Sequence, residues 1–153
     1  MKNGKRTEKE GCRVVTIEDR VRFSETDLMG VVHHTNYLRW FEMGRVAYFR
    51  ACGIALTELR EKGYQVPIVD VHARFRQSAR FDDVYQVVTK MTHVDRVKFC
   101  FSYQIVRKSD GALLVEGEST NAFTDLTGKP KRLTLDAYET LRQVAAEERK
   151  NEE

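Results

Sequence analysis

From Arg13 to Phe23 apolar and polar residues alternate, with Val15, Ile17, Asp19, Val21 and Phe23 on one face and only Asp19 breaking the apolar set. A period of two predicts a strand. The period then lengthens: from Tyr37 to Cys52, a wheel of 100° per residue gathers Tyr37, Trp40, Phe41, Ala47, Tyr48 and Cys52 on one broad face. Arg39, Glu42, Arg45 and Arg50 fall opposite. The spacing predicts a helix starting near Thr35 or Asn36, either of which can cap it, and ending at Cys52. Gly53 then takes the left-handed stop position and Ile54 is the apolar residue beyond it. Gly44 interrupts the apolar face at a cost of about 1 kcal/mol of helix propensity, so it marks a place where a sheet comes close.

A short second helix is predicted over Ala55 to Lys62, ending at Gly63. After Pro67 the period of two returns in four runs: Ile68 to Ala79, Tyr85 to Val94, Lys98 to Val106 and Ala112 to Thr124. In the third, Phe99, Phe101, Tyr103 and Ile105 alternate with Lys98, Cys100, Ser102 and Gln104, the mark of a sheet with one buried face. Turn signals at Asp82-Asp83, Asp95-Arg96, Ser109-Asp110-Gly111 and Thr127-Gly128-Lys129-Pro130 separate and close these runs. A last helix is expected from Leu135 to about Lys150. Short turns favour antiparallel neighbours, and one mostly apolar helix needs a sheet to wrap it, so the fold class is α+β: about five antiparallel strands around one central helix, plus a C-terminal helix.

Composition narrows the class of protein. A chain of 153 residues, 41% hydrophobic and 32% charged, makes one globular domain, read here as residues 13–150 behind a disordered tail at 1–12. No apolar run approaches the roughly 20 residues that span a bilayer, and the charged N-terminus lacks the apolar middle of a secretory signal. Cys12, Cys52 and Cys100 form no CxxC pair, which argues against a disulfide framework or a zinc site and fits a reducing cytoplasm. A net charge of +3, spread along the chain, leaves no nucleic-acid footprint.

The candidate chemistry sits where the first strand hands over to the long helix, in Ser24 to Tyr37. Gly30 permits a tight turn that folds the Asp27 carboxylate back toward the N–H groups around Val32, His33 and His34. A carboxylate facing such donors can act as nucleophile or base opposite an oxyanion site, which suits acyl chemistry. The bland alternative is that Asp27 only caps its turn. His34 orients substrate or water, contributes its backbone N–H, or merely bonds a neighbouring loop; His33 points elsewhere. A metal site built from Asp27, His33 and His34 is disfavoured, because adjacent histidines do not converge like an i, i+4 pair. Tyr37, Trp40 and Phe41 read as core, with Tyr37 carried also as a candidate substrate contact. Glu42 and Arg45 read as a solvated helix pair worth a few tenths of a kcal/mol. Arg74, Arg76 and Arg80 form either a solvated face or, with Arg96, Lys98, Lys129, Lys131 and Arg132, a surface that takes phosphates.

Phe23 to Glu42, running Phe-Ser-Glu-Thr-Asp-Leu-Met-Gly-Val-Val-His-His-Thr-Asn-Tyr-Leu-Arg-Trp-Phe-Glu, resembles the signature of the 4-hydroxybenzoyl-CoA thioesterase family, the hotdog-fold group that includes the YbgC-like proteins. The likeness extends more weakly from about Arg13 to Leu141. It implies an acyl-CoA thioesterase with no metal and no prosthetic group, coenzyme A being part of the substrate, and a homodimer or homotetramer whose sites lie between subunits. By position, the family's catalytic carboxylate falls on Asp27 and its second important residue on His34, whose backbone N–H is expected to polarise the thioester carbonyl. Arg96, Lys98 and Lys129 fall where the family places CoA phosphates. An acyl-chain hydratase or dehydratase on the same fold and a non-catalytic acyl-CoA-binding protein are the alternatives.

Overall fold

A computed structural model describes residues 13–146, so the expected tail at 1–12 and the final residues of the expected C-terminal helix lie outside the described residues. Its strands are β1 (Val14–Arg20), β2 (Ile68–Phe75), β3 (Val84–Val94), β4 (Lys98–Arg107) and β5 (Leu113–Ala122). They form one antiparallel sheet in the order β1-β3-β4-β5-β2, which leaves β1 and β2 as edges. The helices are α1 (Thr35–Ala51), α2 (Leu56–Glu61) and α3 (Leu135–Ala145). No helix among the described residues is long and apolar enough to cross a membrane.

Alternation in β3 and β4 decides which face of the sheet carries α1. Tyr85, Val87 and Met91 of β3 and Phe99, Phe101, Tyr103 and Ile105 of β4 are all buried against it. Trp40 stacks on Tyr85 with ring centroids 3.8 Å apart, and Phe41 stacks on Tyr103 at 4.3 Å. Gly44 is the point of close approach: a Cβ there would collide with Thr89 Oγ1 and lie 3.1 Å from Val87 Cγ1. The helix stops as its sequence suggests. Gly53 takes φ +77°, and the Ile54 N–H returns to the Phe49 carbonyl at 2.9 Å, closing the last turn.

Two strand ends and one helix cap differ from the sequence pattern, and α3 ends at Ala145, with Ala146 as its C-cap, short of the expected Lys150. The first strand ends at Arg20, and Phe23 enters a 3-10 turn (Phe23–Glu25) that leaves it 75% exposed instead of on the buried face. The second strand ends at Phe75 rather than Ala79, because Arg76 and Gln77 both donate to the Leu114 carbonyl and the chain turns away. Neither Thr35 nor Asn36 caps α1 with its side chain; His34 is the N-cap, and the Asn36 amide reaches back to the Glu25 carbonyl at 3.0 Å.

Candidate active site

Residues Glu25 to His33 make a small hairpin against the start of α1. Asp27 N–H donates to the Val31 carbonyl at 2.8 Å, Thr26 pairs with Val32, and His33 N–H donates to the Glu25 carbonyl at 2.9 Å. Gly30, at φ +81°, supplies the left-handed residue that lets the chain reverse. Asp27 Oδ1 accepts the N–H groups of Met29 at 2.8 Å and Val31 at 3.3 Å, while Oδ2 has no partner among the described residues. One oxygen thus closes the turn, as the capping reading expects, and the other is left open among the described residues.

The backbone donors at the helix start are almost all engaged. Val32 N–H goes to the Ala79 carbonyl, His33 N–H to Glu25, Asn36 N–H to the His33 carbonyl and Tyr37 N–H to the His34 carbonyl. Thr35 N–H points at His33 Nδ1, 3.3 Å away. The expectation that Val32 and His33 offer oxyanion donors is therefore corrected: both have carbonyl partners. His34 N–H is the donor without one among the described residues 31–37.

His33 is more than a bystander. Its Nδ1, accepting from Thr35 N–H, serves as the cap that the Thr35 and Asn36 side chains do not provide, and its ring stacks on His34 at 4.5 Å. The exposed His34 ring meets Phe75 of β2 edge-on at 6.2 Å. Tyr37 is core: it is 3% exposed, its hydroxyl accepts the Ala79 N–H at 2.9 Å, and burial pushes its phenol above the usual range. That placement corrects its reading as a substrate contact.

The basic candidates separate. Arg96, Lys98 and Lys129 cluster at the far end of the sheet, where Leu133 N–H donates to the Arg96 carbonyl and Arg96 Nε bonds the Leu133 carbonyl at 2.8 Å. Asp27 and His34 lie at the other end, beside the Ser78–Asp83 loop. The length of β4 alone puts about 30 Å between the two ends, so one chain does not bring these cations to its own Asp27. Arg74 and Arg76 pair across the strands with Glu118 and Glu116.

Two side chains make contacts that the sequence did not announce. Glu25 Oε2 accepts the Trp40 indole N–H at 3.1 Å and Oε1 accepts the Arg22 N–H at 2.8 Å, while its carbonyl takes both His33 N–H and the Asn36 amide. Arg45 does not pair with Glu42; its Nη1 crosses to the sheet and donates to the Tyr103 hydroxyl at 3.0 Å. No local pattern announces either contact, since the partners lie 15 and 58 residues away.

Residues 21–145 match the model of the thioesterase-like superfamily. The chain is 27% identical over 115 residues to the acyl-CoA thioester hydrolase YbgC of Escherichia coli O6:H1, covering 74% of this chain and 85% of that protein. A DHNA-CoA thioesterase of Staphylococcus aureus superposes with a TM-score of 0.81 at 28% identity, over 87% of this chain and 91% of that one. A 4-hydroxybenzoyl-CoA thioesterase, solved as an Asp-to-Asn mutant in complex with 4-hydroxybenzoyl-CoA, superposes with a TM-score of 0.74 at 26% identity, over 84% and 98%.

Proposed function

Because the chain belongs to the thioesterase-like superfamily, we propose that it hydrolyses an acyl-CoA thioester to a carboxylic acid and free coenzyme A, with Asp27 and the His34 N–H as the reacting pair. The observation that carries the assignment of residues is the coincidence, at one hairpin-to-helix junction, of an open carboxylate oxygen and the one backbone donor of residues 31–37 with no partner among the described residues. A thioester whose carbonyl oxygen meets His34 N–H gains a partner for the charge that builds up as the carbon becomes tetrahedral. The positive end of α1 adds to that stabilisation. Asp27 Oδ2 then either attacks the carbonyl carbon or takes the proton of an attacking water, and CoA leaves as the thiol. Gly30 shapes the turn, and the His34 ring, stacked on His33 and edge-on to Phe75, forms a wall of the site.

The functional unit in this reading holds two copies. β2 is an edge with Ile68, Val69, Val71 and Phe75 between 40% and 61% exposed, an apolar edge of a kind that a second sheet covers. Antiparallel pairing of two β2 edges sets the far end of one copy next to the Asp27 hairpin of the other. Arg96, Lys98 and Lys129 then serve the CoA phosphates of the partner's site. Coenzyme A enters as substrate, in a cytoplasmic setting, and no metal takes part.

Thiol release from a panel of aryl, short-chain and long-chain acyl-CoA thioesters tests the proposal. The wild-type protein should turn over at least one class, and Asp27→Asn should fold normally yet lose about 10²- to 10⁴-fold in kcat. Near-wild-type thiol release by Asp27→Asn would remove the carboxylate from the mechanism. Enoyl formation without thiol release would point to a hydratase, and tight binding without either product to a non-catalytic acyl-CoA-binding protein.

A further inference from the structure

Arg45 lies eleven residues after His34, which returns it to the same flank of α1 about 16 Å further along the axis. That flank overhangs β5 and β2. The floor beneath it is set by the register of the two strands. Phe75 pairs with Val115 below the His34 ring, Ala73 with Gly117 below Phe41, and Val71 with Ser119 where the Arg45 contact arrives. Four residues of strand from Phe75 to Val71 span about 13 Å, in step with the helix above. The walls are apolar and open: Leu38 is 38% exposed, Val71 41% and Phe75 53%, while Phe41 closes down so tightly on Gly117 that a Cβ there would sit 2.8 Å from its ring. A lane of exposed apolar side chains thus leads from the proposed reacting end, past Phe41, to Arg45.

The lane ends on an unusual cation. Arg45 is half-buried, has no carboxylate within 4.0 Å among the described residues, and uses one of its five N–H donors, Nη1, on Tyr103. Because Arg45 donates to it, the Tyr103 hydroxyl is left to reach Ser119 Oγ at 2.6 Å, and stacking with Phe41 fixes the ring. The guanidinium is therefore braced at one nitrogen, with its Nε and Nη2 edge unpartnered among the described residues. That edge is the fork that matches a carboxylate in two parallel hydrogen bonds. A solvated helix arginine would face water with a flexible stem; this one is turned to the sheet.

We propose that Arg45 is a specificity residue that binds a carboxylate at the far end of the acyl group, so that the protein favours thioesters of dicarboxylic acids over plain acyl chains of equal length. The inference rests on the thioesterase reading for the position of the thioester, and its test is separable from that reading. Non-hydrolysable S-alkyl-CoA thioethers with chains of about six to ten carbons, ending in carboxylate or in methyl, are titrated calorimetrically against wild-type protein, Arg45→Met, Arg45→Lys and Tyr103→Phe.

At the best-fitting length, wild-type protein should bind the carboxylate-ended chain at least about tenfold more tightly than its methyl-ended match. Arg45→Met, which keeps the unbranched stem, should bring that ratio near one while leaving affinity for the methyl-ended chain within about twofold. Arg45→Lys should recover part of the ratio, and Tyr103→Phe should weaken it. A ratio near one in wild-type protein at every length overturns the proposal, as does an equal loss for both chains in Arg45→Met, which would make Arg45 a brace between helix and sheet. Because binding alone is read, absence of turnover would defeat the hydrolase assignment without touching this result.

Discussion

Glu25 does not face the Asp27 oxygen proposed to react, yet it decides where that oxygen sits. Its carboxylate is tied to the Trp40 indole and its carbonyl to His33 N–H and the Asn36 amide, so the hairpin bearing Asp27 is fastened to α1 from both sides. Glu25→Gln retains an acceptor for the indole and should keep kcat within about tenfold. Glu25→Ala leaves a buried indole N–H unpaired, an omission that costs about 1–3 kcal/mol, and should lower kcat more than it raises KM. Trp40 is the chain's only tryptophan, so its fluorescence reports the same event directly. An Ala variant with wild-type kcat and an unmoved emission maximum would show that Glu25 holds nothing in place. The sequence made Asp27, Gly30 and His34 legible because turn chemistry and helix onset are local. The Glu25–Trp40 and Arg45–Tyr103 contacts were not legible, because the chain must fold before their partners meet.

At the scale of elements, period together with turn and stop signals located the five strands and three α-helices described, and the errors fall where hydrogen bonding rather than hydrophobicity sets the boundary. Phe23 continues the apolar alternation of β1, yet Thr26 N–H and the Thr26 hydroxyl both bond the Phe23 carbonyl and wind it into a 3-10 turn. Gly44 illustrates the opposite case, in which a misfit in helix propensity was informative because it marked a contact. Gly44→Ala should lower stability by about 1–3 kcal/mol in denaturant unfolding, despite alanine's better propensity, because the added methyl meets Thr89 Oγ1 and Val87. That hydroxyl is buried and has no partner among the described residues, so Thr89→Ala removes the obstacle at little polar cost, and the double variant should recover much of the loss. Simple additivity of the two substitutions would contradict the close-approach account.

The whole molecule offers two further measurements. Burial raises the phenols of Tyr37, Tyr85 and Tyr103 above the ordinary value near 10, so the folded state holds them neutral where the unfolded chain would ionise them. Their stabilising contribution is complete below about pH 10 and is lost as pH rises from there through the raised folded values. Tyrosinate absorbance should therefore rise in two stages, with these three ionising only as the fold opens; one smooth transition before any change in circular dichroism would refute it. The second measurement concerns assembly. Val71 and Phe75 lie on the exposed edge strand and also floor the lane beside α1, so the surface proposed to pair with a second copy is continuous with the surface proposed to hold the acyl group. Loss of pairing should then remove activity even though Asp27 is untouched, because the partner's far-end cations leave with it. Val69→Asp, which opposes an apolar interface with charge on the same exposed strand at a residue outside the lane, should leave the monomer folded. In light scattering it should shift the mass from a dimer or tetramer toward 17.8 kDa, and KM for CoA esters should rise with kcat falling in the same sample. A monomeric Val69→Asp with wild-type kinetics would place every contact to CoA within one chain, which the separation along β4 speaks against.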